Sequence, residues 1–367
     1  MNFSKKDSAC IKGIAIIMML FHHSFREADN LEAYSVIFKP FSQEFVVNLA
    51  VYFKICVGLF VFISGYGLYL SIKKLVNTPD AYNKEYNHWL VNRLISVLAG
   101  YWFVVISSNI VCQLLDQKVT KVYFSGNIYK GFLSLIVNFF GLSNLFSLDQ
   151  LNGTWWYMSA AVSFVFLTPL LAKILKNYGP VMLLFICIFV PRFLFIEYNG
   201  GSVTLSYVFA YCLGMVFAEY NILGKLKSYS FTNNKILNKA IKFIIATPLL
   251  ILSYNLYLNT NPNTFFELKF GIIPVFVIYY CYEFIINIPI INPILIFLGK
   301  HSMNIFLTHT FIRLIYLKDF IYSFKHFVII YLVLMALSIL LSIAIEAVKK
   351  LLRYDPFILS LKKKILK

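Results

Sequence analysis

Apolar residues run along this chain in long blocks separated by short polar stretches, from about residue 9 almost to the end. A membrane span needs about 20 mostly apolar residues. Eleven blocks approach that length, near 9–25, 48–71, 91–113, 130–147, 154–174, 180–197, 203–220, 240–259, 270–288, 294–317 and 326–350. The pattern predicts an all-α, polytopic membrane protein.

Eleven crossings would put the termini on opposite sides. Lys and Arg collect in cytoplasmic loops, so they can arbitrate. The basic segments are Lys5/Lys6/Lys12, Lys73/Lys74/Lys84/Arg93, Lys173/Lys176, Lys225/Lys227/Lys235/Lys239/Lys242, Lys349/Lys350/Arg353 and the tail Lys362 to Lys367. All of them can be cytoplasmic only if one block between residues 113 and 153 does not cross. The weakest is 130–147, where Asn138, Gly141, Ser143 and Asn144 interrupt the run Gly131 to Phe146. It reads as an interfacial or re-entrant helix on the outer side. The expectation is therefore about ten transmembrane helices with N and C termini cytoplasmic. The segment 26–47, with Glu27, Asp29, Glu32 and Glu44, then lies outside. No internal repeat or low-complexity linker divides the chain, so residues 1–367 read as one membrane domain.

Composition agrees. Of 367 residues, 60% are hydrophobic and 13% charged, against about 45–50% and roughly a quarter in soluble domains. The mean hydropathy is +0.74. A soluble core could not hide so much apolar surface, so lipid is the solvent for most of the chain. The formal charge of +17 would point to nucleic acid in a soluble protein. Here the positives sit in short loops, and no basic face or aromatic binding motif accompanies them, so they read as orientation signals and nucleic acid is set aside. Cys10, Cys56, Cys112, Cys187, Cys212 and Cys281 fall mostly in apolar runs without a Cys-x-x-Cys pair. They read as packing residues, with neither a zinc site nor a disulfide framework. Lys5 and Lys6 before Ile14 to Phe21 imitate a signal peptide, but Lys12 interrupts the approach and no small-x-small cleavage site follows, so the first block reads as a retained helix. The abundance of Lys, Asn, Ile, Phe and Tyr points to an AT-rich bacterial genome, and the expected location is the plasma membrane, multi-pass.

Ionisable residues inside spans are costly and mark functional positions by default. The first block holds Lys12 and His23, eleven residues apart. In a helix that is about three turns and about 16 Å of rise, with the two side chains within about 20° of one another. Met19 falls on the same stripe, Arg26 lies near it, and His22 points about 100° away. One face thus carries a cation toward the cytoplasmic side and an imidazole nearer the outside. The bland alternative is a lysine snorkelling to headgroups and a histidine capping a helix end. Elsewhere Ser64 sits in Val57-Gly58-Leu59-Phe60-Val61-Phe62-Ile63-Ser64-Gly65-Tyr66, which is not the Gly-x-Ser-x-Gly of a nucleophile elbow. Trp155 and Trp156 read as an interfacial belt, His301 as a rim residue, and His309 as a deeper histidine bonded to a neighbouring helix. Arg192, Glu219, Glu283, Arg313 and Glu346 fall near span ends, where snorkelling or ion pairing is the default reading. No phosphate-binding Gly-rich loop, dinucleotide fingerprint or His-Glu-x-x-His is present, and no ligand cluster supports a metal.

The order of these features resembles the acyltransferase 3 family, integral membrane enzymes that O-acylate surface carbohydrates. The family's first helix carries a basic residue, ten residues, then His, matched by Lys12 and His23 with Lys in place of the usual Arg. Its second helix has a segment like Leu59 to Tyr66, and its third begins with basic residues, as at Arg93. A later span opens with Trp and ends in Pro-Leu-Leu, matched by Trp155 to Ser159 and Pro169-Leu170-Leu171. A Gly-x-x-Ser followed by His is matched by Gly299, Ser302 and His309. Ala160 and Ala161 stand where the family often has a Glu.

The resemblance implies ten spans and transfer of an acyl group, acetyl in the first instance, from acyl-CoA to a hydroxyl of a surface, exported or lipid-linked carbohydrate. Acyl-CoA would be a donor substrate rather than a resident cofactor. It implies His23 as general base or transient acyl carrier and Lys12 as the donor-side cation. Arg93, Ser64, Trp155, Ser302 and His309 would line or support the substrate site. Two other classes stay open at this point: a glycan transporter or flippase, for which no inverted repeat speaks, and a structural subunit of a polysaccharide export complex.

Overall fold

The computed structural model describes residues 3–78, 84–193, 205–261 and 264–366. Its first helix, α1 (Lys5–Phe25), starts where a reciprocal cap allows it to start. The Ser4 hydroxyl accepts from the Asp7 amide at 3.2 Å, and the Asp7 carboxylate accepts from the Ser4 amide at 2.8 Å. These bonds occupy backbone donors that a helix end leaves open.

The block expected over 48–71 is broken. A helix α2 (Gln43–Tyr52) ends in a short 3-10 turn, Phe53–Ile55, before α3 (Cys56–Asn77). The turn puts Lys54 on a cavity wall. Helix α4 (Lys84–Asp116) is followed by α5 (Ile128–Phe139), the counterpart of the 130–147 block. Twelve residues make a helix of about 18 Å, short of a hydrocarbon core of about 30 Å.

Helix α6 (Trp156–Phe193) contains two of the sequence blocks. At Gly179 φ is +81° and ψ is 177°, a conformation open mainly to glycine. The arm before Gly179 carries Lys173 and Lys176, and Lys176 donates to the carbonyl of Val76 at 2.8 Å. The arm after it ends at Arg192, which pairs with Glu267 at 2.5 Å at the opposite end of the bundle. The chain therefore doubles back there. Residues 194–197 and 203–204 of the expected spans lie outside the described residues. Helices α7 (Val208–Glu219), α8 (Lys235–Asn259) and α9 (Ile273–Tyr280, between two π turns) follow. Then come α10 (Ile291–Thr310), a π turn Phe311–Tyr316, α11 (Phe327–Leu351) and the terminal α12 (Tyr354–Ile365). Among the described residues, seven helical stretches are long and apolar enough to cross a membrane.

Several basic segments meet at one end of the bundle. Lys73 pairs with Glu219 at 2.9 Å, Lys242 with Glu283 at 3.2 Å, and Lys227 lies 3.9 Å from the ring of Tyr282. That ring also packs on Phe3. At the other end Tyr322 donates to the carbonyl of Ser24 at 2.8 Å, and His326 bonds the carbonyl of Lys39 at 3.0 Å. Helices α1 and α10 lie side by side between these ends. A Cβ on Gly13 would stand 2.3 Å from the carbonyl oxygen of Leu295, and one on Gly299 would stand 1.9 Å from that of Ala9. Only glycine lets the two backbones approach this closely. Gly65 and Gly214 do the same for α3 and α7.

Gly299→Val should force α1 and α10 apart at a cost of about 1–3 kcal/mol, the usual range for overpacking. Thermal unfolding of the purified protein in lipid nanodiscs reads it directly. An unchanged midpoint would show that the helix pair is not held at this point.

Candidate active site

The stripe on α1 faces two cavities. Met19, His23 and Arg26 line one of about 350 Å³, whose wall also includes Lys54, Phe60, Trp156, Tyr157, Phe306, Thr310 and Arg313. Lys12 lines the other, of about 400 Å³, together with Ser64, Ser96, Gly100, Tyr157, Ser302 and Phe306. Phe60, Tyr157 and Phe306 belong to both linings. The ring of Tyr157 stands 6.4 Å from Phe60 and 5.4 Å from Phe306. Three aromatic side chains from α3, α6 and α10 thus form a septum between a cavity with imidazole and a cavity with ammonium.

His22 and His23 both reach the wall of the first cavity, with ring centroids 5.0 Å apart. They differ in what holds them. His22 is buried and its Nδ1 donates to the Ala50 carbonyl at 2.6 Å. His23 makes no hydrogen bond among the described residues, and its ring packs against that of His309, centroids 4.9 Å apart and planes tilted by 39°. His309 is fully buried. Its Nδ1 lies 2.9 Å from the Phe306 carbonyl and 3.2 Å from that of Ile305, so this nitrogen carries the proton and Nε2 is left as an acceptor. The arrangement is one imidazole fixed in tautomer and orientation beside one that is free to exchange a proton.

Arg313 is the residue that sequence reasoning undervalued. Taken as a span-end arginine, it is 2% exposed and lines the His23 cavity. Among the described residues its Nε and Nη1 have no hydrogen-bond partner, and Nη1 stands 3.7 Å from a carboxylate oxygen of Glu27. One signal could have found it: it lies four residues after His309, hence near the same helix face. The structure adds that its segment forms a π turn, a feature frequent at functional sites.

The remaining expected residues divide. Ser64 and Ser302 line the Lys12 cavity, and each donates its proton to its own helix, Ser64 to the Phe60 carbonyl and Ser302 to that of Gly299, both at 2.8 Å. Their free lone pairs make them acceptors there. Lys12 forms no ion pair and no hydrogen bond among the described residues. Trp155 lines neither cavity. It is buried, donates to the Leu307 carbonyl at 3.0 Å, and so supports the α10 backbone two residues before His309. The tryptophan on the cavity wall is its neighbour Trp156. Arg93 lies one turn before Ser96, outside the lining, with Nε buried and unbonded.

No curated protein and no solved structure gives a match to this chain. A family model described as an acyltransferase domain matches residues 8–347. That interval runs from the start of α1 almost to the end of α11 and takes in every residue on the walls of both cavities. On a match covering nearly its whole length, the chain belongs to the acyltransferase 3 family and is a membrane acyltransferase.

Proposed function

We propose that this protein transfers an acyl group, in the simplest case acetyl, from acyl-CoA to a hydroxyl of a surface or exported carbohydrate. The donor enters from the cytoplasm at the basic end, which the distribution of Lys and Arg favours as the inner side of ten crossings. The observation that carries the reading is the pair of cavities meeting at one aromatic septum, with an unbonded imidazole on one side and an unpaired ammonium on the other. A thioester threading past Phe60, Tyr157 and Phe306 from the Lys12 side would present its carbonyl to His23.

In the step so assigned, the His23 imidazole takes the proton of the acceptor hydroxyl. The oxygen attacks the thioester carbonyl carbon and forms a C–O bond. The tetrahedral oxyanion collapses, the C–S bond breaks, and the coenzyme A thiolate receives the proton back from the imidazolium. Imidazole suits this exchange near neutral pH. The unbonded donors of Arg313 suit the oxyanion. His309 would keep the His23 ring oriented.

Lys12 allows a test with two readouts of opposite sign. An unpaired cation inside a membrane-spanning bundle is costly to the fold and useful only to an anion. Lys12→Met should therefore raise the unfolding temperature by a few degrees, the response to roughly 1 kcal/mol. It should also raise KM for acetyl-CoA by about tenfold or more, as loss of one charged contact implies. Equal KM for both proteins would remove Lys12 from the donor site. For the function itself, surface glycans from cells with and without the gene are compared by mass. Loss of an acyl increment on an otherwise intact glycan supports acyl transfer. Loss of the whole glycan from the surface would favour a flippase instead, and unchanged glycan masses would overturn the carbohydrate acceptor.

A further inference from the structure

The matched family region ends at residue 347, and the chain continues into α12. This terminal helix is tied to α4 beside the Lys12 cavity. Tyr354 donates to the Ala99 carbonyl at 2.7 Å and packs edge-on against Phe103 at 5.1 Å. Eight residues on, Lys362 donates from Nζ to the Ser96 hydroxyl at 2.6 Å. Ser96 lines the Lys12 cavity and is itself exposed, so it marks the cavity's open edge. Arg93 stands one turn before it on α4.

Three cations therefore flank this cavity: Lys12 on its wall, Arg93 one turn before Ser96 and Lys362 at the rim. None is matched by a carboxylate in the described structure. Among the described residues Lys362 bonds the neutral Ser96 alone, and the buried Nε of Arg93 has no partner. Partial burial, and then the charge of Arg93, pull the Lys362 ammonium below the ordinary lysine range. A group so placed gains from a bound anion. Lys363 and Lys364, on the same helix, are exposed.

We propose that Lys362 of the terminal helix completes a phosphate-binding rim with Arg93 and Lys12, which holds the phosphate groups of the coenzyme A donor at the open edge of the cavity. The inference rests on the donor reading above. It adds that a segment beyond the family's common region supplies a binding residue, one that works with Lys12 standing in place of the family's usual arginine. A lysine carries no planar fork for bidentate phosphate contact, and a third cation at the rim offsets that loss.

The same chemistry could serve a phospholipid headgroup, and the test separates the two. The full-length protein is placed in nanodiscs of phosphatidylcholine and titrated calorimetrically with coenzyme A. Lys362→Ala should weaken Kd by about tenfold, the scale of one charge-assisted hydrogen bond. Lys362→Arg should restore most of it, and Lys363→Ala should match the unaltered protein. If the unaltered protein binds coenzyme A and Lys362→Ala binds it equally well, the rim is overturned while the donor reading stands. If the unaltered protein does not bind coenzyme A, both fall. Nanodiscs containing phosphatidylglycerol supply the last arm. Coenzyme A affinity unaffected by Lys362→Ala, together with fewer retained anionic lipids, would assign the lysine to the membrane instead.

Discussion

Replacing His23 by alanine is expected to lower kcat by about a thousandfold, within the range that general acid–base catalysis contributes, while the protein inserts and folds normally. The expectation of normal folding has a specific basis. His23 makes no hydrogen bond among the described residues, so its removal leaves no buried partner orphaned. His22 is the opposite case. Its Nδ1 is committed to the Ala50 carbonyl, and His22→Ala strands that acceptor, so it should lower the unfolding temperature and spare most of kcat. Single-turnover acetyl transfer in nanodiscs, with the unfolding midpoint measured beside it, checks both variants. A His23→Ala protein turning over at the unaltered rate would end the assignment of the base.

The second large effect concerns Arg313. Arg313→Leu should cost about a hundredfold or more in kcat, the scale seen when one oxyanion donor is removed, with KM for the donor changed little. Arg313→Lys should recover part of it, because a point charge remains but the fork of donors does not. A purely structural arginine would respond differently. Glu27 retains Arg26 at 3.2 Å when Arg313 is gone, so no carboxylate is left uncompensated. Loss of stability with kcat intact in the surviving fraction would return Arg313 to the span-end role that its position in the sequence suggests.

Those two residues show where the sequence was legible and where it was not. The rise and angle between Lys12 and His23 follow from helix geometry alone, and they select the histidine that the structure leaves unbonded on a cavity wall. Helix geometry puts His22 about 100° off that stripe, yet its ring also reaches the wall of the same cavity. The broken helix at Phe53–Ile55 was invisible because all its neighbours are apolar and a hydropathy window averages across it. Trp155 and Trp156 could not be told apart without knowing that α10 passes one of them and the cavity the other.

The solvent and the elements are readable from residue order alone. Long apolar blocks, few charges and clustered Lys and Arg require helices in lipid, because each block must satisfy its own backbone there. These are sums over neighbouring residues, and they do not depend on how helices pack. Packing alone makes the stripe on α1 serve two cavities rather than one. It also decides that Phe60, Tyr157 and Phe306 divide them, that Arg313 joins the histidines, and that Lys362 reaches Ser96. A cavity wall is assembled from residues far apart in the chain. Their meeting depends on backbone approaches such as Gly13 against Leu295 and Gly299 against Ala9, which no local pattern records.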